Sequence, residues 1–183
     1  MEPPMVIKGL IALAAIVVVL AVIVATRPSE FRVERTATIS APAPVVFAQV
    51  NDFHQWDAWS PYAKRDPAMT KRFEGAPAGV GAIYTWSGNR EVGEGRTTII
   101  ESRPNELIRI KLEFVRPFAA TSTAEFTLRP EGDRTAVTWS LAGRNGFTAK
   151  AMGLVIDMDR MIGGDFETGL AQMKVIAEAA PRR

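Results

Sequence analysis

The sequence predicts an α+β fold in which a curved antiparallel sheet packs against a long C-terminal helix, preceded by one N-terminal membrane helix. Three observations predict it: an apolar run opens the chain, apolar and polar residues alternate through its middle, and apolar residues recur with helical spacing near its end. Without the first segment about 150 of the 183 residues remain, the usual size of one domain with one core.

The first element is the apolar run from Gly9 to Ala25, which contains neither charge nor proline. With Met5–Ile7 it makes about 20 apolar residues interrupted by Lys8, and a helix of that length spans the roughly 30 Å hydrocarbon core of a bilayer. We therefore expect residues 1–28 to be a transmembrane anchor and residues 29–183 to be a separate domain. A cleaved signal peptide is the alternative, but its apolar region is usually shorter, about 7–15 residues.

These features predict a single-pass membrane protein. Its orientation depends on the basic residues that flank the apolar run. Lys8 and the α-amino group precede the run, whereas Arg27, Arg32 and Arg35 follow it. Because basic residues favour the cytoplasmic side, this distribution slightly favours a cytoplasmic C-terminal domain, and the side stays open.

The domain begins with a predicted strand, Phe31–Ile39, which alternates and is rich in β-branched residues. Ser40 and Pro42 then predict the start of a helix that ends near Asp52. The segment from Phe53 to Tyr62 is dense in aromatic residues and is typical of a short helix or turn packed on the body of a domain.

Strands dominate the middle of the chain. Turns rich in glycine, proline and asparagine separate them, which predicts an antiparallel meander. Alternation within the strands predicts that each has one apolar and one solvated face. The predicted strands are Met69–Glu74, Gly81–Trp86, Gly95–Glu101, Leu107–Arg116, Ala120–Leu128 and Thr135–Leu141.

From about Lys150 to Ala180 the apolar residues have helical spacing, which predicts the long C-terminal helix. Gly163 and Gly164 lie inside it and predict a kink, because each glycine weakens a helix by about 1 kcal/mol relative to alanine.

The composition excludes several kinds of site. The chain has no cysteine, which excludes disulfides, thiol nucleophiles and cysteine-ligated zinc. Its one histidine, His54, excludes a multi-histidine metal site, and we expect it to be structural. The net charge is +2 and no basic stripe is evident, which argues against a nucleic-acid partner. We therefore expect no metal, no cofactor and no nucleic acid.

Several short motifs carry a resemblance to a known family. In order along the chain they are ISAPAPVVF at 39–47, VNDFHQW at 50–56, WSP at 59–61, GVG at 79–81, YTW at 84–86, VGEGR at 92–96 and FETGL at 166–170. In their order and spacing, Phe31 to Ala179 resembles the SRPBCC superfamily, which includes START-related lipid-transfer domains, the major birch pollen allergen and polyketide cyclases/dehydrases. The most similar group is bacterial polyketide-cyclase-like proteins with an N-terminal membrane helix.

The resemblance implies a helix-grip fold, in which the sheet wraps around the C-terminal helix and leaves an apolar cavity between them. Core packing is the alternative interpretation for any single residue on the apolar faces. Glu94 lies between two glycines, and such a pair is typical of a β-bulge that would leave the Glu94 side chain exposed. If the side chain faces the cavity instead, Glu94 is the best candidate for an acid or base. The candidate ligand-binding residues are Trp59, Tyr84, Trp86, Glu94, Ile110, Leu112, Phe114, Phe126, Trp139, Met158, Met161, Ile162 and Phe166.

The resulting hypothesis is a membrane-anchored module that binds a hydrophobic small molecule, lipid-like or polyketide-like, with the membrane and that molecule as its partners. We assign no catalytic residues, because no acids, bases or nucleophiles converge, and whether the chain is an enzyme stays open. One alternative is a cyclase or dehydratase that uses the same cavity, which paired buried polar groups would favour. The other is a ligand-free accessory module of a membrane complex, which a filled interior would favour.

Overall fold

The computed structural model describes residues 4–180. Within that range seven strands form one sheet, and helices flank it. The strands are β1 (Glu30–Ile39), β2 (Thr70–Gly75), β3 (Ala82–Ser87), β4 (Glu94–Arg103), β5 (Leu107–Arg116), β6 (Ala120–Glu131) and β7 (Arg134–Arg144). The α-helices are α1 (Met5–Thr26), α2 (Ala43–Asn51), α3 (Trp56–Trp59), α4 (Pro61–Arg65), α5 (Phe147–Met152) and α6 (Met158–Ala179).

The sheet has the strand order β1-β7-β6-β5-β4-β3-β2, and every neighbouring pair is antiparallel. Successive connections therefore lie at opposite ends. The α1 end contains the start of β1, the connections 88–93 and 117–119, and the end of β7. The opposite end contains the turns 40–42, 76–81, 104–106 and 132–133.

The predicted α+β helix-grip architecture is confirmed, including all seven strands. The β6–β7 turn is tighter than expected. It comprises only Gly132 and Asp133, because Glu131 still pairs with Arg134. Gly132 has a φ of 69°, which glycine adopts without steric cost.

The C-terminal region differs from the prediction, because two helices replace one. α5 ends at Met152, and residues 153–157 separate it from α6. The Asp157 carboxylate accepts a hydrogen bond of 3.0 Å from the backbone N–H of Arg160, which caps α6 and fixes where it starts. Val155 and Ile156, whose spacing is helical, therefore lie in the connection between α5 and α6.

α6 includes Gly163 and Gly164, and neither glycine ends the helix. Gly163 has a different role, because a Cβ there would lie 2.0 Å from a guanidinium nitrogen of Arg35 on β1. Arg35 forms ion pairs with Asp159 at 2.9 Å and Glu167 at 2.8 Å. The glycine thus lets β1 and α6 come together through this arginine.

The packed core occupies the half of the domain nearest the opposite end of the sheet. Most of its residues come from the ends of β1, β4, β5, β6 and β7 there, from the segment 46–59, and from the C-terminal half of α6. The fully buried members include Ile39, Val46, Val50, Ile108, Val137 and Met173. The half of the domain nearest the α1 end is therefore the part left to hold a cavity.

α1 is one helix of 22 residues, long and apolar enough to cross a membrane. A signal sequence near an N-terminus satisfies the same criteria. Val24, in its last turn, is the one buried residue of the helix, so the domain covers that turn while the rest of α1 is exposed.

Candidate functional site

A large cavity lies between the sheet and α6, near the α1 end. Its volume is about 840 Å³, within the range of roughly 300–1,000 Å³ typical of small-molecule sites. Strands β3 to β7 form one wall, α6 forms the facing wall, and residues of α3, α4 and α5 complete it. Most of the lining side chains are apolar.

Aromatic rings on β3 and β5 form part of the sheet wall. The rings of Tyr84 and Trp86 stack with centroids 6.0 Å apart, and Phe114 meets Trp86 edge-on at 5.8 Å. The Trp86 indole N–H donates a 3.0 Å hydrogen bond to the carbonyl of Val92. A Cβ on Gly95 would lie 2.5 Å from the Trp86 ring, so this glycine makes room for it. Trp86 is therefore held in one orientation.

The α6 wall changes in character along its length. Deep in the cavity Phe166 stacks on Trp139, with ring centroids 4.0 Å apart. Nearer the α1 end the wall consists of Met158, Met161 and Ile162. Methionine side chains adopt many shapes, so this part of the wall suits an adaptable fit to a ligand.

Ten of the thirteen predicted ligand-binding residues line the cavity. They are Tyr84, Trp86, Ile110, Leu112, Phe114, Trp139, Met158, Met161, Ile162 and Phe166.

Trp59 and Phe126 do not line the cavity, because both are fully buried in the core beneath its inner end. Their rings meet edge-on at 5.9 Å, and each also contacts Trp139. The Trp59 indole N–H donates a 2.9 Å hydrogen bond to the carbonyl of Gln49. These two residues therefore support the cavity floor from below.

Glu94 also lies outside the lining. It forms an ion pair with Arg116 on the neighbouring strand β5. The pairing of β4 with β5 shifts register between Glu94 and Gly95, as expected for a bulge. Its carboxylate is thus held by an arginine and is not positioned as an acid or base in the cavity.

One polar cluster in the lining was not predicted from the sequence. Arg65 on α4 forms an ion pair with Asp165 on α6, and its guanidinium carbon lies 5.4 Å from the centroid of the Tyr62 ring. Burial, together with the Asp165 charge, raises the pKa of Tyr62 above its usual value. Tyr62 therefore stays protonated and can donate a hydrogen bond, but it is not a base.

Two more polar groups bear on ligand chemistry. Burial, helped by the charge of Asp57, raises the pKa of Tyr84 to about 12, so this phenol also stays protonated. The Trp139 indole N–H is buried and has no hydrogen-bond partner among residues 4–180. A buried donor without a partner is costly, and an acceptor on a ligand would relieve that cost.

His54 lies outside the cavity lining. Its ring stacks on Phe73 with centroids 4.2 Å apart, and its Nδ1 is 2.7 Å from the Asp52 carboxylate. Within the part of the chain that the structure describes, no group of three or more histidine and carboxylate side chains could hold a metal ion. The cavity lining combines apolar surface and hydrogen-bond donors with the carboxylates of Asp57, Glu91 and Asp165.

Residues 30–178 match the family described as polyketide cyclase / dehydrase and lipid transport. The chain belongs to this family. The resemblance to the SRPBCC superfamily is thereby confirmed over nearly all of the domain. No curated protein matches the sequence.

Solved structures share the fold of this polyketide cyclase / dehydrase family member. A protein from Chromobacterium violaceum is 17% identical with a TM-score of 0.59, over 84% of this chain and 100% of that one. A protein from Mesorhizobium loti is also 17% identical, with a TM-score of 0.58, over 83% and 100%. The di-domain ARO/CYC StfQ of the steffimycin biosynthetic pathway is 11% identical, with a TM-score of 0.60, over 82% and 51%. At these identities the likeness concerns the fold alone.

Proposed function

We propose that this chain is a membrane-anchored module that holds a lipid-like or polyketide-like molecule in the cavity between the sheet and α6. The observation that carries the proposal is the contrast between the two halves of the domain. One half is a filled core, whereas the other encloses about 840 Å³ lined mostly by apolar side chains. An interior filled throughout would have favoured a ligand-free accessory module instead.

The polar groups of the lining suggest which end of a ligand they meet. Tyr62 and Tyr84 carry protonated hydroxyls, and Trp139 carries the unpartnered indole N–H. All three groups can donate to an acceptor. We therefore expect an apolar molecule with a carbonyl, carboxyl or hydroxyl oxygen.

The proposal assigns residues 1–28 to a membrane anchor and residues 29–183 to the binding domain. Residues 1–3 and 181–183 lie outside the described residues. The length and apolar character of α1 support an anchor. We place the protein in a bacterial inner membrane, with a slight preference for a cytoplasmic domain.

The test is photochemical crosslinking of the full chain in lipid nanodiscs, using palmitate with a diazirine at the end of its acyl chain. Peptide mass spectrometry should find crosslinks in cavity residues such as Leu112 and Met161. Ser122→Trp places a large ring in the cavity and should abolish these crosslinks. Thr123→Trp is the matched control, because the next residue of a strand points to the other face of the sheet. Crosslinks that persist unchanged in Ser122→Trp would contradict the proposal.

An enzyme of the cyclase/dehydratase type is the second candidate, and the Tyr62–Arg65–Asp165 cluster favours it. The cluster could hydrogen-bond a ketone oxygen, but Arg65 holds the Asp165 carboxylate and neither tyrosine can act as a base. Binding is therefore the better supported function. Product formation from a poly-β-ketone that Tyr62→Phe abolishes, with palmitate crosslinking retained, would establish the enzyme instead.

A further inference from the structure

The cavity is open at the α1 end, where apolar side chains surround its mouth. Phe118 follows β5, Phe147 and Met152 lie on α5, and Met161 lies on α6. All four line the cavity, yet between 39% and 59% of each remains exposed to solvent. Because these four side chains line the cavity and are also exposed to solvent, they mark its opening.

The connection between α5 and α6 extends this apolar surface. Val155 is 89% exposed and Ile156 is 38% exposed, and they lie between Met152 and Met158 of the lining. We call Phe118, Phe147, Met152, Val155, Ile156 and Met161 the apolar rim. A contiguous set of large exposed apolar side chains is unusual on a soluble surface and is typical of a docking site.

The position of α1 indicates what the rim meets. Only Arg27, Pro28 and Ser29 separate the end of α1 from β1. The carbonyl of Ser29 accepts a 2.7 Å hydrogen bond from the backbone N–H of Asn145, two residues before α5. A cleft lined by Arg27, Pro28, Lys150 and Val155 joins the exit of α1 to the rim.

The domain also covers the last turn of α1, where Val24 is buried while the other residues of the helix remain exposed. In a bilayer-spanning α1 this turn lies at the membrane surface, because α1 is only about as long as the hydrocarbon core is thick. The rim then lies at the same level as the lipid headgroups. The opposite end of the sheet then lies away from the membrane.

We infer that the apolar rim is seated on the bilayer around α1, so that the cavity mouth opens directly into lipid and an acyl chain passes between bilayer and cavity without crossing water. This inference rests on the proposed anchoring of α1 and adds where the ligand comes from. The chemistry of the occupant is that of a lipid surface: exposed aliphatic and aromatic side chains insert among acyl chains at the headgroup boundary.

The test measures the depth of single labelled positions in the full chain in phosphatidylcholine nanodiscs. The protein has no cysteine, so one introduced cysteine carries one environment-sensitive fluorophore. Val155→Cys reports the rim, and Val17→Cys reports the middle of α1. Val80→Cys is the matched control, because Val80 is 58% exposed at the opposite end. These side chains are exposed, so the substitutions leave the packing intact.

Nitroxide groups on lipid acyl chains should quench the labels at Val17 and Val155, and they should leave the label at Val80 unquenched. Quenching at Val17 with a water-exposed label at Val155 would overturn the docking inference and leave the anchor in place. A Val155 label shielded from both water and lipid quenchers would also overturn it, since a protein would then cover the rim. No quenching at Val17 would refute the anchor, and with it this inference.

A second readout tests the passage of the ligand. Val155→Asp puts a charge on the rim outside the cavity lining and should slow the appearance of palmitate crosslinks in the cavity. Val80→Asp should leave the time course unchanged. Equal rates in the two variants would show that the ligand enters by another route.

Discussion

Substituting Gly169 by alanine tests the packing of the cavity floor. A Cβ at Gly169 would lie 2.8 Å from Cζ3 of Trp139 and 3.2 Å from Cδ of Pro61. The Trp139 ring cannot retreat easily, because it is stacked between Phe126 and Phe166. Overpacking a filled interior typically costs about 1–3 kcal/mol.

The control is Gly164→Ala in the same helix, where a Cβ would meet no atom within 4 Å. Both substitutions gain about 1 kcal/mol of helix propensity, so that gain cancels in the comparison. Gly164→Ala should therefore be the more stable variant by about 1–3 kcal/mol, the cost of the Trp139 and Pro61 contacts.

Thermal unfolding of the two full-length variants, followed by circular dichroism, measures this difference. For a chain of this size 1 kcal/mol corresponds to about 2–4 °C in Tm, so a gap of several degrees is expected. Equal Tm values would refute the reasoning, because the floor would then yield to an added methyl group.

Three further predictions concern the wall, the tyrosines and the anchor. Trp86→Ala should lose most palmitate crosslinking, and Trp86→Phe should retain it. If the Trp86→Ala protein is folded and crosslinks as before, the ligand binds at a site that does not include Trp86. Tyr62 and Tyr84 are the only tyrosines, and raised pKa values keep both protonated in the folded state, so tyrosinate absorbance should stay low at about pH 11 and appear on unfolding. Keeping the two phenols protonated stabilises the folded state below about pH 10, and this stabilisation is lost as pH rises through the pKa values that the tyrosines have in the folded protein. Alkali should therefore promote unfolding. A titration curve like that of free tyrosine would contradict this prediction. Removal of residues 1–27 should leave circular dichroism of a folded domain, whereas loss of that signal would make α1 part of the core.

The sequence predicts the sheet well because alternation is a local signal. In Leu107–Arg116 the apolar residues every second position identify both the strand and its inward face, and β5 has the same bounds. The C-terminal helix was harder to predict. Val155 and Ile156 have the right spacing, but the cap formed by Asp157 decides where α6 begins.

The cavity is only partly predictable, because a strand pattern tells which way a side chain faces and not whether the space there is filled. Phe126 and Trp139 both face inward, yet Trp59 from α3 packs beside Phe126, so only Trp139 reaches the cavity. The pairing of Arg65 with Asp165 is invisible in the sequence for another reason. Partners a hundred residues apart meet only once the fold is formed.

The three residues between α1 and β1 also limit how far the domain can travel. Fully extended they span roughly 10 Å, less than the width of a small domain. With α1 held in a bilayer, the domain cannot ferry a molecule across an aqueous gap to a second membrane. If α1 anchors the domain as proposed, delivery to another membrane requires a mobile acceptor that comes to the domain, and the domain holds or sorts its ligand in place instead of carrying it.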